Sequence, residues 1–266
     1  MSQNRASMLD RPVAQTFFRY GLPWSAAFLL LSSAGLVDTI FIGRYVGAQA
    51  LAAVNIVSPV FSIFFGMGVM LSVGGTVRSA HHVGRGDLRA ASAVFGRTML
   101  LILLAGLVLA LLSLLFRPLL LTLLGADGDV MRPAHQYLTT ILIFSPVLPA
   151  SYALSQFARV DQHPPLASLG LILSAAVNIF LDYLFIARFG WGVQGAALAT
   201  ILSQAVSAVW VLKFLTGPKT KWRLRAVNLR PRAKVVLPSL ALGMSPFIMQ
   251  ATESLITVCF NSSLQT

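Results

Sequence analysis

MLLILLAGLVLALLSLLF, at residues 99–116, decides the fold class of this chain. The run contains no charged residue, and Arg97 and Arg117 stand on either side of it. An α-helix needs about 20 mainly apolar residues to cross the hydrocarbon core of a bilayer. The run therefore predicts a membrane-spanning helix with a positive charge near each end.

Apolar intervals of this kind recur along the whole sequence. They lie at residues 19–44, 44–78, 97–117, 132–159, 161–188 and 188–213, and a last one begins after Lys234. Only 11% of the 266 residues are charged, against about 25% in soluble domains, and the mean hydropathy is +0.78. We therefore predict an all-α integral membrane protein, with a six-helix transmembrane bundle followed by a partial seventh helix.

The basic residues are distributed unevenly between the two ends of the predicted helices. If the N-terminus is cytoplasmic, sixteen of the 20 Lys and Arg residues fall on the cytoplasmic side. Four fall outside, namely Arg44, Arg117, Arg132 and Arg188. Cytoplasmic loops of membrane proteins carry such an excess. The pattern predicts a multi-pass protein of the cell inner (cytoplasmic) membrane. The net charge of +12 is then explained by basic residues that face the lipid bilayer on its cytoplasmic side, and nucleic acid is not predicted as a partner.

A basic stretch divides the sequence into three predicted regions. Residues 1–215 hold the six-helix lobe, and residues 216–234, TGPKTKWRLRAVNLRPRAK, are predicted to be a cytoplasmic linker on the anionic inner leaflet. Residues 235–266 would then begin a second lobe. Because the sequence stops within an apolar stretch that has no charged residue after it, we expect this second lobe to be truncated.

Two acidic residues, Asp38 and Asp182, lie inside predicted spans at a matched depth. Asp38 precedes Arg44 by six residues, and Asp182 precedes Arg188 by six, on helices that run in the same direction. At about 1.5 Å per residue, both carboxylates lie roughly 9 Å inside the ends of their helices. Because a carboxylate within the bilayer costs a few kcal/mol, the pair indicates a functional site.

Two uncharged polar residues are predicted to reach the same level. Asn178 precedes Asp182 by four residues and shares its helix face, and Thr200 lies on the next helix. Carboxylate, amide and hydroxyl oxygens suit hard cations such as Na+, and a carboxylate pair can hold a proton instead. The alternative is structural: the aspartates would hydrogen-bond the backbone beside a kink, and Asn178 and Thr200 would join neighbouring helices.

Four segments together resemble the multidrug and toxic compound extrusion (MATE) transporters. They are VDTIFIGRYVGAQALAAVNIVSPV at 37–60, LLGADGDVMRPAHQYL at 123–138, VNIFLDYLFI at 177–186 and GVQGAALATILSQ at 192–204. The resemblance implies a twelve-helix fold of two six-helix lobes around a central cavity, of which this chain supplies the N-lobe. It implies multidrug efflux, in which small amphipathic or cationic organic substrates, antibiotics among them, leave by antiport against H+ or Na+.

The resemblance also assigns roles to individual residues. The N-lobe cation site of the family matches Asp38, Asn178, Asp182 and Thr200. It implies a cation- or proton-binding role for Glu253 on the seventh helix and a helix-bending role for Pro23 on the first. No cofactor is implied other than the coupling ion, and no metal other than Na+.

Other functions were weighed against antiport. A non-transporting membrane fragment or accessory is one alternative, since the missing C-terminal lobe, or a second copy in a homodimer, would have to complete the cavity. A lipid-linked precursor flippase of the same superfamily is disfavoured, because the predicted spans lack basic residues that would line the cavity. No catalytic arrangement stands at membrane depth, so no enzyme is predicted. His81 and His82 are predicted to be a solvated loop pair.

Overall fold

The computed structural model describes residues 12–161, 163–217, 220 and 233–264, and within them every regular element is a helix. The helices are α1 (Val13–Phe41), α2 (Ala48–Gly84), α3 (Leu88–Leu115), α4 (Arg117–Leu123), α5 (Gly128–Phe144), α6 (Val147–Val160), α7 (Pro164–Asp182), α8 (Gly192–Leu215) and α9 (Ala233–Leu264). Short π-helical turns extend α1 over Ile42–Val46 and α7 over Tyr183–Arg188.

Five helices are long and apolar enough to cross a membrane, and α5 together with α6 forms a sixth candidate span. This confirms the predicted all-α bundle with one correction. The fourth span, predicted over residues 132–159, consists of two helices that meet at 47°. Pro146 stands at the break and lacks the N–H that would continue the helical hydrogen-bond ladder.

The apolar run that predicts a span forms most of α3. Ile102, Gly106 and Ala110, each four residues from the next, are buried and face the bundle. A Cβ atom on Gly106 would lie 3.2 Å from Cα of Pro146, so this stripe of α3 packs closely on the break between α5 and α6. On the other faces Leu107 and Leu111 are 49% and 58% exposed. Such a surface suits hydrocarbon, since exposing it to water costs about 25 cal/mol per Å².

The bundle can be described by the neighbours of two helices, α2 and α7. The central helix is α2, which packs against α3, α5, α6 and α9, whereas α7 packs between α1 and α8. We call the end where α1 and α7 finish the aspartate end, and the end where α2 and α8 finish the basic end. The apolar core has a layer near each end, one around Val57 and Leu138 and the other around Phe95 and Phe157.

The predicted seventh helix forms as α9 and packs along α2. Two glycines let the backbones meet. A Cβ atom on Gly74 would overlap the carbonyl oxygen of Ser239, and one on Gly243 would overlap that of Met70. Within the described residues α9 is not among the helices apolar enough to count as candidate spans. Most of the predicted linker, at 218–219 and 221–232, lies outside the described residues, and the domain boundaries stay a prediction.

Candidate functional site

The aspartate end brings Asp38 and Asp182 together through the packing of α1 against α7. Asp38 stands one turn before the π-helical end of α1, and Asp182 is the last residue of α7 before its own π-helical end. Isolated π-helical turns occur often at functional sites. The equal spacing of the two aspartates from Arg44 and Arg188 thus corresponds to two helix ends of the same kind.

The two carboxyl groups contact each other. Their side chains lie within hydrogen-bonding distance, Asp182 is fully buried, and Asp38 is half-buried. Among the described residues, no other donor reaches Oδ1 of Asp38 or either oxygen of Asp182. Because two ionised carboxylates have no hydrogen to donate, the contact is a hydrogen bond only when the pair holds a proton.

The charges of the two carboxylates determine which ligand the Asp38–Asp182 pair needs in order to be stable. Two unit charges about 4 Å apart repel by about 4 kcal/mol at an effective dielectric constant of 20. Removing each carboxylate from water costs several kcal/mol more. A shared proton or a bound cation cancels both penalties, so the unpartnered oxygens of Asp38 and Asp182 fit either ion.

Asn178 lies on α7 with Asp182, and Thr200 lies on the neighbouring helix α8. Asn178 is one turn before Asp182 on α7 and is buried, and its Nδ2 has no acceptor among the residues described. Thr200 is half-buried on α8, the helix that packs along α7, and its carbonyl accepts a hydrogen bond of 2.8 Å from Ser203 Oγ. That these two residues complete one ligand set with the aspartates stays a prediction.

Tyr137 is a neighbour of the pair that the sequence reasoning missed. It is buried on α5, and the charges of both Asp38 and Asp182 act on its phenol group. A phenol can donate a hydrogen bond to a carboxylate. Tyr137 follows Arg132 by five residues, nearly the depth assigned to the aspartates. The same depth count, extended to tyrosine, would have found it.

Glu253 and Pro23 do not belong to the contact between Asp38 and Asp182. Glu253 lies on α9, and Pro23 lies on α1 about four turns before Asp38. Glu253 is exposed on α9, which packs along α2, and it accepts a hydrogen bond of 3.0 Å from Gln250 Nε2. Pro23 is half-buried inside α1, and the helix continues through it. Its missing N–H leaves the carbonyl of residue 19 without its helical donor. The cation-binding role of Glu253 and the bending role of Pro23 both remain predictions.

A bundle of apolar helices with a carboxyl pair buried at depth is typical of membrane transport proteins. The family profile described as MatE matches residues 23–184, which is more than half of the chain. The chain belongs to this family, the MATE transporters, which are not enzymes. The resemblance seen in the four segments is thereby confirmed.

Relatives and solved structures agree with this assignment. The chain is 25% identical over 238 residues to "Multidrug export protein MepA" of Staphylococcus aureus (strain bovine RF122 / ET3-1), covering 90% of this chain and 53% of MepA. It is similar to the structure described as "Outward-facing conformation of a multidrug resistance MATE family transporter of the MOP superfamily", with a TM-score of 0.84, 25% identity, and coverage of 92% and 55%.

The inward-facing structure of a transporter with the same description gives a TM-score of 0.81 at 26% identity, covering 87% of this chain and 53% of that one. One lobe therefore resembles both conformations about equally. The chain spans about half the length of the relatives that it matches.

Proposed function

We propose that this chain forms the ion-coupling lobe of an antiporter that exports small amphipathic or cationic organic compounds in exchange for H+ or Na+. The observation that carries the proposal is the contact between the Asp38 and Asp182 carboxyl groups, which lack other donors among the described residues. Burying two carboxylates destabilises the fold, which makes a purely structural role unfavourable. A bound proton or cation removes this destabilisation, so the pair suits an ion that it can bind and release.

The position of Asp38 on α1 supports a coupling between ion binding and the movement of this helix. α1 packs mainly against α7, so one interface holds the carboxyl pair together. Moving α1 along or away from α7 would separate the carboxyl groups and weaken the shared hold on an ion. Conversely, a bound ion favours the arrangement in which both groups contact it. Ion binding and the position of α1 are linked in this way, as antiport requires.

The class of substrate follows from the relatives and from the charges. MepA bears the description multidrug export protein. The charge within the spans is negative at Asp38 and Asp182, which favours cationic substrates over the anionic head of a lipid-linked precursor. These two observations support organic cations as the exported compounds.

Transport itself is proposed to need a second lobe. Alternating access in repeat transporters involves the movement of one bundle against another, and the matched relatives are about twice as long as this chain. The second bundle could come from a further part of the same polypeptide or from a second copy in a homodimer. Liposomes that contain the 266-residue chain alone should show no gradient-driven uptake of a fluorescent organic cation.

Gradient-driven uptake that is lost in Asp38→Asn would contradict this expectation and favour a dimeric half-transporter. A control in the same liposomes is needed to separate failure of transport from failure of insertion. Protease accessibility of the reconstituted chain provides it, because an inserted bundle protects its spans.

Ion binding by the chain tests the proposal without any second lobe. Purified chain should bind radioactive Na+ in a scintillation proximity assay, or show a protonated carboxyl band in infrared difference spectra when the pH is lowered. The first outcome indicates Na+ coupling and the second H+ coupling. Asp38→Asn and Asp182→Asn should each abolish the response.

Asp127→Asn is the matched control, since it removes the same charge from an exposed position at the start of α5. It should leave ion binding unchanged. If neither ion binds to the folded chain, or if all three variants behave alike, the aspartates have a structural role and the non-transporting alternative is favoured.

The orientation of the chain is also part of the proposal, with the basic end in the cytoplasm. In a Cys259→Ser background, a cysteine introduced at Asp129 should react with an impermeant maleimide added to intact cells. A cysteine introduced at Arg223, which lies outside the described residues, should not react. The reverse labelling would contradict the proposed orientation and would not bear on the proposed ion site.

A further inference from the structure

A cavity of about 420 Å³ lies at the basic end of the bundle, at the opposite end of the chain's long axis from the aspartate pair. Six residues line it: Val77, Arg78, His81, His82, Arg85 and Leu242. Val77, Arg78, His81 and His82 lie in the last turns of α2, Arg85 is the residue directly after its end, and Leu242 comes from α9. Arg78 is about 45 Å along α2 from its first residue at 1.5 Å per residue, so the cavity is separate from the ion site.

Helical spacing and close packing explain how this cavity forms. Arg78, His81 and His82 stand at positions i, i+3 and i+4 and share one face of α2, and the C-cap residue Arg85 at i+7 continues that face because its backbone is right-handed helical. The backbones of α2 and α9 approach each other at Gly74, which lies one turn before Arg78. The structure thus corrects the loop assignment of His81 and His82, which lie within the last turns of α2.

The lining combines positive and imidazole groups with an apolar wall. The lining carries two positive guanidinium groups, and a guanidinium can bind a phosphate through paired hydrogen bonds. The nearby carboxylate of Asp87 accepts a hydrogen bond of 2.9 Å from Ala90 N and caps α3. Val77 and Leu242 are 48% and 49% exposed, and they border the basic residues on the side of the membrane spans.

We propose that this cavity binds the phosphate headgroup of an anionic phospholipid, with its acyl chains along Val77 and Leu242. A soluble phosphate would use the Arg and His groups but would gain nothing from the apolar wall. Basic pockets between transmembrane helices at the cytoplasmic surface bind lipid headgroups in this manner. Because α2 and α9 both line the cavity, a bound lipid would also hold these two helices together.

Lipid titration of the purified chain in a neutral detergent, followed by native mass spectrometry, tests the proposal. Phosphatidylglycerol should bind at least about tenfold more tightly than phosphatidylcholine with the same acyl chains. The double variant Arg78→Gln/Arg85→Gln should lose this preference. Inorganic phosphate should compete only weakly, and Leu242→Gln should weaken binding of phosphatidylglycerol but leave that of phosphate unchanged.

A charge-matched control separates the cavity from the basic surface around it. Arg89→Gln/Lys213→Gln removes two exposed positive charges at the same end, outside the lining. It should retain the preference for phosphatidylglycerol within about twofold, because it keeps the positive charges inside the cavity. Equal loss in the control and in the cavity variant would overturn the proposal.

Two further outcomes keep the test decisive. If inorganic phosphate competes as well as the lipid does, the site binds a soluble anion and the proposal is wrong. If Arg78→Gln/Arg85→Gln does not fold, as judged by size-exclusion chromatography, His81→Gln/His82→Gln replaces it. That variant should weaken phosphatidylglycerol binding severalfold, and unchanged binding would contradict the assignment.

Discussion

The first two helices have similar apolar composition and different surroundings. In α1, 17% of the most apolar window of Gly21–Val46 is buried within the bundle, whereas the corresponding share for α2 is 56%. α2 packs against α3, α5, α6, α8 and α9, whereas α1 packs mainly against α7. The comparison shows that hydropathy places both helices in the membrane without deciding which one is held firmly. The less buried helix carries Asp38, and the central helix carries the close-packed glycines.

The largest expected effect is on the contact between α1 and α7. Asp182→Asn should abolish ion binding, and transport where a second lobe is supplied, while stabilising the fold in the absence of ion by up to about 4 kcal/mol, since it removes one of two like charges that repel each other. Thermal unfolding in detergent and Na+ or proton binding measure the two effects.

Asp127→Asn again provides the exposed control, with both quantities unchanged. A loss of stability in Asp182→Asn together with retained ion binding would mean that the carboxylate holds the helices together, and the proposed role would be wrong.

The second prediction contrasts the glycines of the two helices. A Cβ atom on Gly74 of α2 would overlap the Ser239 carbonyl, whereas one on Gly35 of α1 would have no neighbour within 4 Å. Gly74→Ala should therefore destabilise the chain by about 1–3 kcal/mol through overpacking. Gly35→Ala should stabilise it by roughly 0.5–1 kcal/mol, because alanine favours the helix. Equal effects in thermal unfolding would show that the two helices are packed alike.

A smaller effect is expected at Tyr137, on α5, which packs against α2 and reaches the carboxyl pair. Tyr137→Phe removes a hydroxyl dipole that lies near both carboxylates and stabilises the ionised pair more than the ion-bound pair. The apparent affinity for Na+ should therefore rise only about threefold, which is less than the loss of a direct hydrogen bond to a charged group, worth about 1.5–3 kcal/mol, would give.

Tyr183→Phe, at an exposed position next to Asp182, is the control and should leave the affinity unchanged. If Tyr137→Phe lowers the affinity instead, the phenol oxygen is itself a ligand of the ion, and its place in the site changes accordingly.

The smallest effect is predicted for Pro23, inside α1. Pro23→Ala restores one helical hydrogen bond and should stabilise the fold by about 0.5–1.5 kcal/mol. Turnover by a two-lobe protein should fall severalfold, because a stiffer α1 bends less readily. Pro164→Ala, in the first turn of α7 where a proline costs no helical bond, should change neither quantity. A full loss of transport in Pro23→Ala would require a larger role than bending.

The sequence predicts most of the bundle and part of the site. The long charge-free intervals identify the spans, and equal spacing from Arg44 and Arg188 singles out Asp38 and Asp182. The break at Pro146 was missed because hydropathy sums over it. Tyr137 was missed because tyrosine was left out of the depth count, although Tyr137 follows Arg132 by only five residues.

Apolar composition by itself determined that this chain crosses a membrane, since the transfer of side chains into hydrocarbon depends on each residue and hardly on its neighbours. Only the tertiary structure decided which helix is central, that the Asp38 and Asp182 carboxyl groups contact each other, and that His81 and His82 line a cavity with Leu242. These facts depend on how each helix is rotated about its axis and on which helix lies beside it. Residues distant in the sequence set both, as the close packing of α2 on α9 at Gly74 and Gly243 illustrates.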